Sequence, residues 1–573
     1  MNKKMKVIIV GGVAGGATAA ARIRRLDEQA EVIVFERSGF ISYANCGLPY
    51  YIGGVIEDPE ELTLQTPESF YERFRIDMRV RHEVTAIHPE KKTVTVRNLK
   101  TEEIFEESYD KLLLSPGAKP TLPPLPETDF ENLFTLRTVE DTLAIRQFVE
   151  KQKPKSAVLA GGGYIGIELA ENLRELGLDV TIVQRPKQLM NPLDADMAAF
   201  VHGKMREYGV NLMLGHSVEG FEQDQNGKDI KVLLKDCEPL HANLVILAIG
   251  VTPDTQLARD AGLKLGLKGA ILVNERMETS APDIYAAGDA VQVKHFITGE
   301  EAVISLAGPA NRQGRIAADN ICGGNSIYRG SQGSSVIKIF DMTVAATGIN
   351  ENAAEKAGID YDKVYLSPAN HAGYYPGGKL MTMKILFEKN TYKLLGAQIA
   401  GYDGVDKRID VLACAMRGGL TALQLKDLDL AYAPPFSSAK DPVNMAGFMI
   451  ENIAEGRMKQ FHLADLADLS EDKSVTLLDV RTQEEYNEGH ADGFVHIPVD
   501  ELRDRMFEID SEKPVCVMCQ SGLRSYIASR ILMQNGFDCF NFSGGYRLYQ
   551  TVFEDKTASK TASKTASLCG KEL

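Results

Sequence analysis

Short apolar runs alternate with glycine turns and helical segments from the start of the chain. Lys6–Val10 is an apolar, β-branched run that predicts a strand. A glycine-rich turn, an alanine-rich helical segment to about Leu26 and a second apolar run, Glu31–Phe35, follow it. This order of strand, glycine turn, helix and strand, closed by the acid Glu36, predicts a dinucleotide-binding unit.

The same order recurs further along the chain. Ser156–Ala160 predicts a strand, 161–166 a glycine turn, Ile167–Leu176 a helix and Val180–Val183 the next strand. Two such units in one chain predict two bound nucleotides and indicate an internal duplication.

Three later segments have patterns of their own. A strand is expected from about Asn243 and a helix from about Gly308. Residues 331–455 mix strands with helices, which is typical of a separate α+β unit, and 466–556 carry an independent α/β pattern. Beyond 556 the chain repeats Lys-Thr-Ala-Ser without apolar anchors, so we expect that tail to be disordered.

Composition and charge narrow the class of protein. In 573 residues, 64 Lys and Arg stand against 79 Asp and Glu, and the net charge of −15 argues against nucleic acid and acidic membranes as partners. Eight cysteines are too few for a disulfide scaffold, and no Cys-x-x-Cys pair recurs with histidines, so we predict no metal site. The basic N-terminus and the apolar stretch 7–21 resemble a signal peptide, but the glycine spacing favours a buried strand, and we expect a cytoplasmic protein.

The two glycine turns predict different nucleotides. In the first, Val13 replaces the usual second glycine, and Glu36 is placed to bind a ribose. In the second, Gln184 occupies the place of the acid that favours NAD, and Arg185 follows as a residue able to accept a 2′-phosphate, so the choice between NADH and NADPH stays open. The glycines expected to approach the pyrophosphates are Gly11, Gly12, Gly16, Gly161, Gly163 and Gly166.

One cysteine follows the first nucleotide unit directly. Cys46 lies in the segment 42–50, Ser-Tyr-Ala-Asn-Cys-Gly-Leu-Pro-Tyr. A lone cysteine is often a packing residue, but this position beside a nucleotide site favours a reactive thiol. A thiolate near a helix N-terminus is expected to have a lowered pKa.

Residues 1 to about 455 resemble the flavoprotein pyridine nucleotide-disulfide oxidoreductases. The matching segments are VIIVGGVAGG, Ser115-Pro-Gly-Ala118, GGGYIGIELA and TSAPDIYAAGD. The resemblance implies that Asp289 binds the ribityl chain of FAD and that the helix from about Gly308 points its N-terminus at the flavin. It further implies cofactor contacts by Arg37, Ser115, Gly117, Ala307, Gln184 and Lys440.

The branch of the family is indicated by a single redox cysteine. No Cys-x4-Cys follows the first unit and no histidine stands in its glycine turn. The segments SxxNCGLPYYIGG and 430–447 resemble coenzyme A-disulfide reductase and its persulfide- or polysulfide-reducing relatives. That implies a homodimer in which Cys46 faces the flavin and Tyr432 and Tyr374, preferred over Tyr375, come from the partner subunit.

The same resemblance implies a site for coenzyme A. One departure is Phe74 where a coenzyme A-binding lysine is expected, so either Arg73 or Arg75 substitutes or the 3′-phosphate is held less well. The residues that match coenzyme A contacts are Thr18, Arg22, Arg25, Ser42 and Asn45.

The C-terminal unit resembles a rhodanese domain. The evidence is Leu478-Asp-Val-Arg481, the segment 488–498 and a Cys-x4-Arg loop from Cys519 to Arg524. A loop of backbone amides closed by Arg524 is expected to bind an anion and to let Cys519 carry a persulfide. Two alternatives are weighed against this interpretation. One is a tyrosine phosphatase, which would need the wider Cys-x5-Arg loop, and the other is a rhodanese fold in which Cys519 has no catalytic role. Cys516 could resolve the persulfide, although packing is the simpler interpretation.

Together these features predict an FAD-dependent NAD(P)H:persulfide or polysulfide reductase that acts on species such as coenzyme A persulfide and releases hydrogen sulfide. The alternatives are a coenzyme A-disulfide reductase with an accessory rhodanese domain, an NADH oxidase, and a sulfurtransferase with a redox-sensing flavin half. The fold class is α/β, with predicted domains at 1–118 and 245–330 (FAD-binding), 119–244 (NAD(P)H-binding), 331–455 (α+β dimerisation), 456–465 (linker), 466–556 (rhodanese) and 557–573 (disordered tail).

Overall fold

The computed structural model describes residues 4–122, 129–224 and 228–568, and these form two compact units. The first unit comprises Met1–Lys187 and Gly209–Gly333, and the second comprises Gln188–Tyr208 and Ser334–Leu573, each within the described residues. Among those residues, no helix combines the length and the apolar character that crossing a bilayer would require.

The first unit contains two parallel five-stranded sheets, each built around one of the glycine turns. Their strands are apolar on both faces because helices and ribbons cover them, as is usual for parallel sheets. In spatial order, the first sheet consists of Ile284–Ala286, Lys111–Leu114, Lys6–Val10, Glu31–Glu36 and Asp77–Val80. The second consists of Asn211–Leu214, Asp179–Gln184, Ser156–Ala160, Leu244–Leu247 and Leu133–Thr135.

The strand Leu244–Leu247 corrects one predicted boundary. It pairs with Ser156–Ala160 in the second sheet, whereas we placed the return to the first domain at residue 245. The predicted boundary was wrong because a buried strand of four apolar residues has no sequence feature that assigns it to one parallel sheet or the other. The chain rejoins the first sheet only at Ile284–Ala286.

Smaller elements complete the first unit. Its antiparallel ribbons are His82–His88, Thr93–Asn98 and Ile104–Ser108; Val218–Gln223, Ile230–Leu234 and Cys237–Ala242; and Ala118–Pro120 with Val251–Pro253. In a small mixed sheet, Val291–Lys294 pairs in parallel with Ile271–Leu272 and antiparallel with Glu301–Ala302. Its α-helices are Ala14–Leu26, Leu48–Gly53, Pro67–Phe74, Val139–Gln152, Tyr164–Glu175, Gln256–Asp260 and Ala307–Ile321, and its 3₁₀ turns are Asn45–Gly47, Pro59–Leu62 and Leu267–Gly269.

The second unit begins with the predicted dimerisation domain. Its antiparallel sheet runs Ser335–Ile339, Met342–Gly348, Leu394–Gly401, Thr382–Glu388 and Tyr361–Leu366. The helices on it are Ala195–Glu207, Glu351–Lys356, Val405–Gly418 and Pro442–Ala454, with the 3₁₀ segment Ala422–Asp427. The helix Ala195–Glu207 lies within the predicted NAD(P)H-binding segment of the sequence but belongs to this second unit.

The predicted rhodanese domain is a parallel five-stranded sheet with hydrophobic clusters formed by buried residues. Its strands are Lys459–Phe461, Cys539–Phe542, Val515–Met518, Thr476–Asp479 and Val495–His496. Its helices are Leu466–Glu471, Gln483–Glu488, Leu502–Arg505, Leu523–Gln534 and Gly545–Leu568, with the 3₁₀ turn Met506–Glu508. The expected linker 456–465 is therefore partly wrong, because Lys459–Phe461 is an edge strand of this sheet.

The last helix departs from the predicted disordered tail. It continues from Gly545 to Leu568, and residues 569–573 lie outside the described residues. The repeat contains alanine and lysine, which favour helix, and no glycine or proline before Gly570, so a helix already started at Gly545 has no sequence signal that stops it.

The same helix connects the two parts of the second unit. At its start, the backbone N–H of Tyr546 donates to the carbonyl of Cys519 at 2.8 Å. Further along, Asp555 accepts hydrogen bonds from His202, at 2.9 Å, and from Arg206, at 2.5 Å, on the helix Ala195–Glu207. The predicted fold class, two nucleotide-binding domains followed by dimerisation and rhodanese domains, is confirmed.

Candidate active site

The first glycine turn is shaped for the close approach of backbone atoms. Gly11 has φ +95°, and a Cβ there would lie 2.1 Å from the carbonyl oxygen of Ser115. A Cβ on Gly16 would lie 1.8 Å from the carbonyl oxygen of Gly11. The following helix, Ala14–Leu26, has no acidic residue in its first turn and no side-chain cap, so its amides are left for an anion such as a pyrophosphate.

Glu36 is fixed at the end of the neighbouring strand. Its carboxylate accepts from the backbone N–H of Gly12 at 2.8 Å and from that of Ser38 at 2.8 Å. The side chain is buried. This is the geometry that a ribose-binding acid requires, because the carboxylate is oriented before the nucleotide arrives.

The second glycine turn repeats this arrangement with an amide in place of the acid. The backbone N–H of Gly162 donates to Oε1 of Gln184 at 3.0 Å. Gly161 has φ +117°, and a Cβ there would lie 2.2 Å from the carbonyl oxygen of Ala248. No atom lies within 4 Å of a Cβ built on Gly163, which leaves room for a pyrophosphate, and a Cβ on Gly166 would lie 2.0 Å from the Gly161 carbonyl.

A third helix terminus and a charged pair lie beside the first turn. The helix Ala307–Ile321 also begins without an acidic residue or a side-chain cap. Asp289, the expected ribityl ligand, accepts from Arg137 at 2.8 Å. The helix packs closely on Ala14–Leu26, because a Cβ on Gly314 would lie 2.3 Å from the carbonyl oxygen of Gly15.

The remaining expected cofactor contacts are distributed around these elements. Arg37 forms an ion pair with Asp254 at 2.8 Å, and the carbonyl of Gly117 accepts from the N–H of Asp254 at 3.0 Å. Ser115 donates its backbone N–H to Val10 at 2.8 Å. Lys440 is exposed and belongs to the second unit.

Cys46 lies in the 3₁₀ turn Asn45–Gly47, directly before the helix Leu48–Gly53. The residue is exposed, yet enough protein surrounds the thiol for desolvation to raise its pKa; Glu168 and Asp289 raise it further, and Arg137 opposes them. The expected lowering of this pKa is therefore wrong. A helix of six residues contributes little field, and burial together with two carboxylates outweighs it.

Glu168, on the helix Tyr164–Glu175, is the acid that acts most strongly on Cys46. Burial, and secondarily the charge of Glu171, raise its pKa to about 7, while a hydrogen bond with Tyr50 opposes the shift. Burial and Glu168 in turn raise the pKa of Tyr50 to about 12. A carboxyl group that titrates near neutrality is able to exchange a proton with a nearby thiol.

Two residues expected to contact coenzyme A are bonded within the first unit. Thr18 donates to Asn311, and Arg22 forms an ion pair with Asp319 at 2.7 Å. Both bonds join the helices Ala14–Leu26 and Ala307–Ile321. Arg25 is exposed, Ser42 has φ +44° and donates its N–H to Gly12 at 2.9 Å, and Asn45 begins the turn that carries Cys46.

The two tyrosines expected from the partner subunit lie together in the second unit. Their phenol oxygens are 2.7 Å apart, and the side chains of Tyr374 and Tyr432 are 76% and 46% exposed. Tyr375 instead packs against His371, with ring centroids 5.5 Å apart. This arrangement supports Tyr374 over Tyr375 as the companion of Tyr432.

The Cys519 loop surrounds its sulfur with donors. The Sγ atom accepts from the backbone N–H of Gly522 at 3.1 Å and from Oγ of Ser525 at 3.3 Å. Cys519 is 1% exposed. Arg524 does not close the loop as expected; its guanidinium makes two hydrogen bonds to Glu485, at 2.6 and 2.7 Å.

The neighbouring cysteine, Cys516, is buried, and burial raises its pKa to about 11. That setting favours packing over the resolving role. The seven cysteines of the described residues are all free thiols.

An acidic cluster in the second unit has the spacing of a metal site but already holds a cation. Asp194, Asp196 and Glu351 have carboxylate oxygens within 4.8 Å of one another. The ammonium of Lys384, 0% exposed, lies among them, 2.8 Å from Asp194 and 3.0 Å from Asp196. The buried ammonium thus supplies the positive charge that three clustered carboxylates require.

Several groups of the site carry no signal in the sequence. Arg137, Glu168 and Glu485 are ordinary charged residues in helical or loop segments, and each acquires its position through a contact with a distant residue. Two of the three stood near a recognised motif: Glu168 lies two residues after the last glycine of the second turn, and Glu485 lies between Arg481 and the segment 488–498.

Two glycine turns shaped for nucleotides, with a cysteine beside the first, define an oxidoreductase that binds two nucleotide cofactors. A profile of the pyridine nucleotide-disulphide oxidoreductases matches residues 5–314, one of the dimerisation domain of that family matches 334–442, and one of rhodanese-like domains matches 462–551. The chain belongs to the pyridine nucleotide-disulphide oxidoreductase family.

Individual relatives cover most of the chain. It is 39% identical over 446 residues to a protein named coenzyme A disulfide reductase from Staphylococcus aureus (strain JH9), which covers 77% of this chain and 99% of that protein. The crystal structure of reduced Bacillus anthracis CoADR-RHD superposes with a TM-score of 0.94 at 47% identity, over 96% of this chain and 99% of that one. The structure of an NAD-dependent persulfide reductase from A. fulgidus superposes with a TM-score of 0.89 at 36% identity, over 95% of this chain and 100% of that one.

Membership of this family identifies the protein as an oxidoreductase and its cofactors as FAD and NAD(P)H. The residues present fit both groups, since each glycine turn leads into a helix N-terminus without a side-chain cap and has a strand-end acceptor beside it. Its dimerisation domain supports a homodimer.

Proposed function

We propose that the protein uses NAD(P)H to reduce the S–S bond of a small persulfide or polysulfide at Cys46, releasing hydrogen sulfide, and that Cys519 supplies sulfane sulfur. The observation that carries the proposal is the pair of donors at Cys519 Sγ, because they stabilise the thiolate that accepts a sulfane sulfur. The A. fulgidus neighbour, whose name is that of a persulfide reductase, adds support because the match covers 95% of this chain.

The proposed chemistry at Cys46 is an exchange of S–S bonds. Its thiolate attacks the substituted sulfur of R–S–SH, the S–S bond breaks, HS⁻ leaves, and Cys46 forms a mixed disulfide with R. Two electrons then split that disulfide into the Cys46 thiolate and R–S⁻. Bound FAD supplies the relay of these electrons from NAD(P)H, chemistry that no side chain provides.

The protons are assigned to residues of the chain. Glu168, whose pKa is about 7, is the carboxyl group that exchanges a proton with the Cys46 thiol during the S–S exchange. The phenols of Tyr374 and Tyr432, which share a hydrogen bond, donate to the leaving sulfur. We assign these tyrosines to the active site of the partner subunit. Glu36 and Asp289 are assigned to the FAD site, and Gln184 to the NAD(P)H site.

The second candidate is reduction of coenzyme A disulfide, which the 39% identical S. aureus relative favours by its name. Turnover on coenzyme A disulfide, a small persulfide, thiosulfate with cyanide, and oxygen, measured side by side, separates the two functions from each other and from an oxidase. A mass spectrum of the denatured protein tests directly for a coenzyme A adduct on Cys46.

Cys46→Ser tests the redox thiol. Turnover on persulfide and disulfide is expected to collapse while FAD stays bound and is still reduced by NAD(P)H, because hydride transfer does not need the thiol. Cys414→Ser, a change at another exposed cysteine, is the matched control and should leave turnover unchanged. Disulfide turnover near the wild-type rate in Cys46→Ser would show that the thiol is assigned wrongly.

Cys519→Ala tests the carrier. Reduction of a small free disulfide should be spared, and turnover on sulfane donors should fall, since Cys519 delivers sulfur but does not receive the electrons. Equal rates on every sulfane donor in the variant and the wild type would remove the rhodanese domain from the proposed activity.

A further inference from the structure

The guanidinium of Arg524 lies beside the Cys519 loop but is not directed at it. Both of its terminal nitrogens donate to the carboxylate of Glu485, at 2.6 and 2.7 Å. Cys519 and Arg524 are near enough to interact electrostatically. The one cation that the loop's own sequence provides is therefore already paired.

Glu485 is itself held firmly in place. Its helix, Gln483–Glu488, begins with a capping box in which Glu485 accepts from the N–H of Thr482 at 2.9 Å and donates its own N–H to Thr482 Oγ1 at 3.3 Å. The ion pair with Arg524 lowers the pKa of Glu485 to about 2, so the acid is ionised at every physiological pH. Arg524 thus meets a permanent, oriented counter-charge.

The second arginine of this region is neutralised as well. Arg481, 1% exposed, pairs with Asp479 at 2.8 Å, donates to the carbonyl of Glu485 at 3.1 Å and stacks over the ring of Tyr546. Beside the buried Sγ of Cys519, two guanidiniums and two carboxylates therefore compensate one another. Arg547, whose N–H bonds the loop, points its guanidinium at Thr382 and Phe200.

We propose that Glu485 determines the sulfur donor of the Cys519 loop: by holding Arg524 it withholds positive charge, which disfavours dianionic thiosulfate and selects persulfides of low charge. This deepens the proposed function, on which it rests, by naming the donor class. A loop without net positive charge gains little from a dianion and must still desolvate it. A persulfide carries a single negative charge, so its approach to the Cys519 thiolate, which the N–H of Gly522 and the hydroxyl of Ser525 stabilise, is opposed less than that of a dianion.

The transfer step is the same for either donor. The Cys519 thiolate attacks the outer sulfur of R–S–S⁻, the S–S bond of the donor breaks, R–S⁻ leaves, and Cys519–S–S⁻ forms. With thiosulfate, the leaving group is sulfite and the product on Cys519 is identical. The two donors therefore differ in the group that leaves and in the charge that the loop must bind, and Glu485 acts on the second of these.

The test measures how fast Cys519 of the FAD-loaded full chain gains one sulfur atom, by quenching, alkylation and peptide mass spectrometry. The probes are thiosulfate and the persulfide of 2-mercaptoethanol. Glu485→Gln should raise the loading rate from thiosulfate about tenfold, or about 1.4 kcal/mol, and leave loading from the persulfide within about twofold. Glu484→Gln, the same change on the neighbouring exposed residue, is the matched control and should change neither rate.

Two further measurements separate charge from a structural role. Glu485→Asp keeps the charge and should keep the wild-type preference. The gain in Glu485→Gln should fall as salt is added, because salt screens a partly exposed guanidinium. On the unaltered protein, excess sulfate should not slow loading from the persulfide. Competition by sulfate, or equal effects of Glu485→Gln on both donors, would overturn the role of Glu485 and leave the carrier role of Cys519 standing. Failure of wild-type Cys519 to accept sulfur from either probe would overturn both.

Discussion

At the scale of single residues, the electrostatics of Cys46 determine when its thiol can react. Burial and the carboxylates of Glu168 and Asp289 raise the pKa of this thiol, and Arg137 opposes them. Glu168 titrates at about 7 itself, so the charge that holds the proton on Cys46 is removed as pH falls below neutrality. The two groups therefore titrate as a coupled pair, and the state of one determines the reactivity of the other.

Glu168→Gln should accelerate the alkylation of Cys46 by iodoacetamide several-fold at pH values above about 7. The neutral amide removes a negative charge, the pKa of the thiol falls, and more thiolate is present. The gain should shrink below about pH 6, because wild-type Glu168 is then protonated as well. Alkylation is followed on the Cys46 peptide.

Glu175→Gln, an exposed position on the same helix, is the control for this change. An acceleration of the same size in both variants, or one that does not depend on pH, would mean that Glu168 is not the group that controls Cys46.

At the scale of elements, glycines determine which helices and turns can touch. The helix Pro442–Ala454 lies against the 3₁₀ segment Ala422–Asp427, where a Cβ on Gly447 would be 2.3 Å from the backbone nitrogen of Lys426. Asn444 reinforces this contact by donating to the carbonyls of Leu425 and Leu428, at 3.0 and 2.9 Å. Neither backbone can move to admit a methyl group without breaking these bonds.

Gly447→Ala should destabilise the second unit by about 1–3 kcal/mol, the range for overpacking a close contact. Gly203→Ala is the matched control, because it is the same change within a helix of the same unit with no atom within 4 Å of the new Cβ. The control should be neutral or stabilising by up to ~1 kcal/mol. Calorimetry of the FAD-loaded protein measures both, and equal unfolding midpoints for the two variants would contradict the close contact.

The elements that the sequence predicted well are those whose signals are local. Lys6–Val10, its glycine turn and the helix to Leu26 were found as the structure has them, because strand, turn and helix signals follow one another directly. The edge strand Lys459–Phe461 was missed, since three residues carry no periodicity and its partner, Cys539–Phe542, is far along the chain. The ion pairs of Arg137 and Arg524 depend on the tertiary fold in the same way.

At the scale of the whole molecule, the proposal places each active site between two chains. Cys46 belongs to the first unit, whereas Tyr374 and Tyr432 belong to the second, on exposed segments whose phenols bond to each other. Exposed aromatic side chains joined in this way are typical of a surface that a partner covers. The dimerisation domain provides the partner as a second copy of this chain.

A mixed dimer of Cys46→Ser and Tyr432→Phe chains should recover activity that neither variant has alone. One of its two sites then holds both intact residues, so about half of the wild-type turnover per dimer is expected. Heterodimers are isolated with two different affinity tags. Tyr432→Phe by itself must first be shown to be strongly impaired.

The complementary pair is the control. A heterodimer of wild-type chain with the double variant Cys46→Ser/Tyr432→Phe has no complete site if the residues come from different chains, and one complete site if they come from the same chain. Activity in that heterodimer and its absence from the mixed dimer would assign Cys46 and Tyr432 to one chain.

The helix Gly545–Leu568 has a consequence for how sulfur travels. Its first turn holds the carbonyl of Cys519, and its Asp555 holds His202 and Arg206, so folding itself fixes where Cys519 sits relative to the helix Ala195–Glu207. In the proposed function, the sulfur atom on Cys519 is therefore held at a fixed position within the second unit. Any small thiol that takes this sulfur from Cys519 has to reach it at that position within the second unit.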